Sequence, residues 1–93
     1  MADVTAAAAT LHLLYFAWLR ERVGLAEERV TPPAGVATVG DLIAWLRQRS
    51  PGHEAAFATA RAVRCAVNQE FAGPEARLSP GDEVAFFPPV TGG

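Results

Sequence analysis

The residues with the clearest chemical potential stand at the end of the sequence, Gly92-Gly93, reached through Phe86-Phe87-Pro88-Pro89-Val90-Thr91. A free α-carboxylate on Gly93 has a pKa of about 3.3–3.7, is ionised at neutral pH and is a poor electrophile. Converted to an acyl-adenylate, it becomes open to attack, with AMP as the leaving group. Attack by a sulfur nucleophile gives a thiocarboxylate, itself a soft nucleophile. Such chemistry needs another protein's active site, and two glycines suit entry to it because they carry no side chain and have wide φ/ψ freedom. Pro88 and Pro89 hold the approach extended and exclude a helix. The six residues from Pro88 reach roughly 20 Å at about 3.3–3.6 Å each.

The rest of the chain holds no competing chemistry in a recognisable pattern. No Ser-His-Asp, Cys-His or paired-carboxylate spacing is present, and neither glycine-rich phosphate motif occurs. The acidic residues, among them Glu21, Glu28, Asp41, Glu54 and Asp82, read as solvated surface. Cys65 is the single cysteine, so no internal disulfide or cysteine-rich metal site forms, and a thiol on an apolar strand reads as inert core. His12 reads as structural and His53 as surface, since neither has a metal-spaced partner. The net charge is −2, and all eight basic residues are arginines spread along the chain. That distribution argues against nucleic acid or anionic membrane as a partner. No cofactor is expected on this chain, and the terminus is left as the reactive group.

Ninety-three residues with 51% hydrophobic content make one domain with one core. Residues 1–10 are mostly alanine with one acidic charge. They read as a loose leader rather than a signal peptide, which would start positive, and the chain reads as cytoplasmic. The domain is expected over residues 11–87 and the tail over residues 88–93.

The elements that must carry this tail follow from pattern. Leu11–Trp18 is an apolar run suited to a strand buried on both faces. Leu19–Gly24 reads as a helical turn closed by Gly24, and Glu27–Thr31 as an edge strand pairing back on the first. Thr38 opens the clearest helix: Thr38 and Asp41 fit a capping box, and Val39, Leu42, Ile43 and Leu46 form one apolar face. Ser50-Pro51-Gly52 reads as its stop, with Gly35 and Gly52 as loop glycines. His53–Ala60 suits a short second helix with Phe57 inward. Ala62–Val67 alternates, with Val63, Cys65 and Val67 on one side and Arg64 on the other. Asn68-Gln69-Glu70 is a turn before Phe71. Ser79-Pro80-Gly81-Asp82 fits a type II turn. Glu83–Phe87 is the last strand, with Val84 and Phe86 on one face and Ala85 and Phe87 on the other. The order fits an α+β domain with a helix on one sheet face. A β-grasp and a ferredoxin-like split βαβ both accommodate it.

Residues 81–93, GDEVAFFPPVTGG, resemble the end of the small subunit of molybdopterin synthase. Residues 15–24, YFAWLRERVG, resemble that family's first strand and following turn, and residues 66–69, AVNQ, its third strand and hairpin. Gln69 stands where the family often has Gly. The resemblance runs from about Leu11 to Gly93. It implies a ubiquitin-like β-grasp, a mixed sheet of four to five strands covered by one main helix. It implies that Gly93 is adenylated with ATP by an adenylyltransferase related to ubiquitin-activating enzymes and becomes a thiocarboxylate. Gly93, with Gly92, would then donate sulfur to a cyclic pyranopterin precursor inside the large synthase subunit, in a heterotetramer with two copies of each chain. On this basis the large subunit holds the catalytic side chains, and this chain is a sulfur-donating, non-catalytic subunit. Phe87, Phe71 and Arg20 would contact the partner, with Pro88, Pro89, Val90 and Thr91 threading into it. The residues alone leave Phe71 and Phe87 open between core and surface. Three other readings stand beside this one: a sulfur carrier for thiamine, tRNA thiolation or cysteine synthesis, a ubiquitin-like protein modifier, and a non-reactive interaction domain with a frayed end.

Overall fold

The structure, a computed structural model, describes residues 10–89. The leader up to residue 9 and Val90, Thr91, Gly92 and Gly93 lie outside the described residues. In chain order the elements are β1 (Leu11–Tyr15), α1 (Trp18–Val23), β2 (Glu27–Val30), α2 (Val39–Leu46), α3 (Pro51–Phe57), a 3-10 turn (Ala60–Ala62), β3 (Arg64–Val67), β4 (Glu70–Ala72) and β5 (Glu83–Phe87). The strands form one mixed sheet in the order β2-β1-β5-β3-β4. β1 and β5 lie side by side and parallel, and the other neighbours are antiparallel. Two parallel central strands with a hairpin on each flank make a β-grasp and exclude the ferredoxin-like arrangement.

The core sits between one face of the sheet and the helices. Leu13, Leu19, Leu42, Leu46, Phe57, Val84 and Phe86 are all fully inaccessible. Phe57 and Phe86 meet edge to face at 4.9 Å between centroids, a favoured aromatic geometry. The capping box at α2 is complete. The Thr38 hydroxyl accepts from the Asp41 N–H, and the Asp41 carboxylate accepts from the Thr38 N–H. The Ala37 and Thr38 N–H groups together hold the Asp41 carboxyl below its ordinary pKa.

Five expectations change. The first strand stops at Tyr15 rather than Trp18, because a tight turn closes at Phe16–Leu19. Ala17 there takes φ 57, ψ −134, and the Leu19 N–H donates to the Phe16 carbonyl at 3.1 Å. This is a type II′ geometry, which suits glycine better than alanine. That strand is also buried on one face only: Leu11, Leu13 and Tyr15 are buried, and His12 and Leu14 are half-buried. Ser50-Pro51-Gly52 starts a helix instead of ending one. Ser50 caps α3 by accepting from the His53 N–H, and Pro51 takes the first turn, where its missing donor costs nothing. Gly52 is therefore a helix residue, not a loop glycine. A Cβ there would stand 2.4 Å from the Arg22 carbonyl oxygen, so α3 docks against the end of α1 through a bare Cα. His53, expected at the surface, is only 6% exposed. Starting the helix at Pro51 puts position 53 on the same face as Ala56 and Phe57.

Candidate functional site

β5 delivers the tail from the middle of the sheet. Alternation along it turns Val84 and Phe86 into the core and leaves Phe87 half-buried on the face away from the helices. Directly opposed residues share a face, so the register maps that outer surface. One row runs Phe71, Ala66, Ala85, Leu14, and the next pairs Arg64 with Phe87. Phe71 is 84% exposed, the most open large apolar side chain among the described residues. Its ring lies 6.0 Å from that of Phe87, tilted by 53°. Arg64, Cys65, Phe71, Ala72, Gly73 and Phe87 line a shallow groove of about 450 Å³. Pro88 and Pro89 are half-buried against the body.

The hairpin that presents Phe71 is held by its turn. Asn68 and Gln69 both take positive φ, 51° and 72°, the type I′ pattern that matches strand twist. The Asn68 side chain accepts from the Glu83 N–H at 3.0 Å and donates to Asp82 at 2.9 Å. This ties the turn to the start of β5. The turn before β5 is type II as expected: Gly81 has φ 87, and the Asp82 N–H donates to the Ser79 carbonyl.

Of the residues predicted from sequence, the structure brings Phe71 and Phe87 to one side, and Pro88 and Pro89 follow Phe87 directly, both half-buried. Arg20 is exposed on α1 and does not line the Phe71–Phe87 groove. Val90, Thr91, Gly92 and Gly93 lie outside the described residues. Two residues enter that sequence reading missed. Phe16 is 48% exposed, and its N–H donates to the Phe86 carbonyl, which places it beside the end of β5. In sequence it is hidden inside the apolar run Leu11–Trp18. Alternation puts Arg64 on the outward side of its strand, but only the β3–β5 register sets it opposite Phe87.

A second polar cluster lies under the opposite face. The Tyr15 hydroxyl donates to Glu28 Oε2 at 2.7 Å, His53 Nε2 lies 2.8 Å from the same oxygen, and His53 Nδ1 lies 2.7 Å from Ser50 Oγ. Burial raises the Glu28 pKa, but the bonds to His53 and Tyr15 and the nearby Arg49 outweigh it, so the carboxyl sits below its ordinary 4.5. The Ser-His-Glu sequence of contacts is not a nucleophilic site. The serine oxygen is engaged as the cap of α3, and the His53 side chain is 7% exposed. The cluster instead joins β1, β2 and α3. Cys65 is buried, and burial pushes its thiol up to about 11, which leaves it unreactive near neutral pH. Among the described residues no group of three His, Cys, Asp or Glu side chains is placed to hold a metal. No helix among them is long and apolar enough to cross a membrane.

The Phe71–Phe87 pair thus forms an apolar platform beside the end of β5. The family model described as "ThiS family" matches residues 13–93, the tail included. The chain belongs to the ThiS family. Within it, the "Molybdopterin synthase sulfur carrier subunit" of Escherichia coli K12 is 38% identical over 86 residues, covering 89% of this chain and 99% of that protein. The protein of the same name from Chlamydomonas reinhardtii is 36% identical over 85 residues, covering 89% and 98%. Solved ThiS-like folds agree. A Pyrococcus furiosus protein provisionally described as molybdopterin converting factor, subunit 1, superposes with a TM-score of 0.74 at 32% identity, covering 88% of this chain and 99% of that one. Small archaeal modifier protein 1 of Haloferax volcanii gives 0.70 at 31% identity, with the same coverage.

Proposed function

We propose that this chain is the sulfur-carrier small subunit of a molybdopterin synthase, acting in the cytoplasm. The observation that carries the reading is the family match through residue 93, joined to a β5 that ends at the root of that tail. In the proposed cycle a Gly93 carboxylate oxygen attacks the α-phosphorus of ATP in an adenylyltransferase related to ubiquitin-activating enzymes, and pyrophosphate leaves. A sulfur nucleophile then displaces AMP and leaves a thiocarboxylate. In the large subunit that sulfur passes to a cyclic pyranopterin precursor, and water restores the carboxylate. Gly92 keeps the terminus narrow enough to enter the partner's channel, and Val90 and Thr91 thread in behind it. Phe71, Phe87, Pro88 and Pro89 dock the domain, with Arg20 as a polar contact at its margin. The assembly is a heterotetramer with two copies of each subunit. ATP belongs to the activating enzyme, and this chain binds no cofactor.

Deleting Gly93 tests the reading. The shortened chain is expected to bind the large subunit and fold normally yet transfer no sulfur. A deletion variant that still supports product formation overturns it.

The likeness to small archaeal modifier protein 1 favours a second reading, a protein modifier joined through Gly93 to target amines. The chain itself carries no lysine, so it offers no side-chain amine for self-conjugation. Isopeptide-linked adducts on other proteins, in cells supplying the activating enzyme, would select this second reading.

A further inference from the structure

Where β4 ends, the sheet leaves a second groove. β4 pairs with β3 only from Cys65 to Val67. Beyond Gly73 the chain turns to α2, where the Gly40 N–H donates to the Pro74 carbonyl at 2.9 Å. The opening between α2 and the start of β3 has a volume of about 410 Å³, and Val39, Ile43, Val63 and Cys65 give it an apolar floor. Arg61 and Arg64 are the charged residues that line it. Arg64 Nη1 donates to the Arg61 carbonyl at 3.0 Å, and no carboxylate among the described residues pairs with either guanidinium. Three of the other six arginines are occupied: Arg47 with Glu54, Arg49 over Trp45, Arg22 over Trp18. The groove also runs without a break into the aromatic one, since Arg64, Cys65, Ala72 and Gly73 line both.

We propose that this groove is a second docking element for the protein that receives the tail. It takes an extended segment of that partner, bearing an apolar side chain flanked by carboxylates. The proposal rests on the carrier reading above. On a chain of net charge −2, two neighbouring guanidiniums that pair with no carboxylate among the described residues, set over an apolar floor, select acidic, partly apolar sequence, because the guanidinium fork matches a carboxylate with two parallel bonds. A helix is about 10–12 Å across with its side chains and would fill the volume within a turn. An extended segment instead lays alternate side chains into it. Continuity with the Phe71–Phe87 surface lets one partner occupy both.

The test is the dissociation constant for the purified large synthase subunit of the same organism, measured at low and high salt. It compares wild type, F71A, R64E, R61E/R64E, R61K/R64K and R29E. The last makes the same charge change on β2, at the far edge of the sheet. Expected are at least about tenfold weaker binding for R64E and more for the double reversal, with the loss shrinking at high salt. R29E should stay within about threefold of wild type, and the double lysine variant should recover only part of what the double reversal loses, because an ammonium keeps the charge but not the two parallel bonds. If F71A weakens binding while R64E does not, the groove assignment fails and the carrier reading stands. Equal losses in R64E and R29E also overturn the groove, since a diffuse field would then explain both. If wild type does not bind, the carrier reading falls and the groove with it.

Discussion

Truncating Phe71 to alanine separates folding from docking. The ring is 84% exposed and touches Phe87 at 6.0 Å, so the fold has little to lose. A phenylalanine buries about 150–250 Å² when fully covered. The fraction already covered, at about 25 cal/mol per Å², is worth under about 1 kcal/mol. The Phe71–Phe87 pair adds at most about 1 kcal/mol. The melting temperature is therefore expected to fall by no more than about 16 °C for a domain of this size, at about 4–8 °C per kcal/mol. Docking is another matter. Covering the remaining surface is worth up to about 4 kcal/mol on the same area scale, within the range of an interface hot spot at about 2–4 kcal/mol. Titration calorimetry against the large subunit should show about 30- to 1000-fold weaker binding. Binding within threefold of wild type, with the fold intact, would refute the claim that this aromatic face is the docking surface. A collapse of the fold would refute its description as exposed.

Tyr15→Phe removes a 2.7 Å bond to the ionised Glu28 and keeps the ring contacts with Phe57 and Phe86; urea unfolding at neutral pH should report a loss of about 1.5–3 kcal/mol. Because the folded state lowers the Glu28 pKa, its contribution is present above the unfolded value and lost as pH falls through the folded one. The difference between wild type and Y15F should therefore shrink below about pH 4.5, and a difference that is constant with pH contradicts the network. Ala17→Gly relieves a positive φ that costs about 1–3 kcal/mol, partly offset by glycine's extra unfolded-state freedom of about 0.5–1 kcal/mol. Thermal unfolding should show a net gain, and a loss would mean the turn is unstrained.

Much of this fold was legible because local chemistry and tertiary context agree. Thr38 and Asp41 form the expected box, Pro80-Gly81 the expected turn, and Glu83–Phe87 the expected strand, with Phe86 inward and Phe87 outward. The failures share a cause: the deciding partner is distant in sequence. Phe16 and Trp18 look like strand residues until the Ala17 turn lifts them out of the ladder. Ser50-Pro51 reads as a stop or a start, and the close approach of Gly52 to the Arg22 carbonyl is invisible to local pattern. His53 looked like a surface histidine because its partners, Glu28 and Tyr15, lie 25 and 38 positions away. At the candidate site, alternation put Phe86 and Phe87 on opposite faces of the last strand but left open which of them faces out. It could not supply the β3–β5 register, and so it left Arg64 without a role.

The most direct test of the carrier reading is the intact mass of the purified chain after incubation with ATP, an adenylyltransferase of the ubiquitin-activating type and a sulfur donor. The account predicts that the mass rises by the difference between one sulfur and one oxygen, and that the change is confined to the C-terminal peptide. An unchanged mass, under conditions that convert an authentic sulfur carrier, would contradict it.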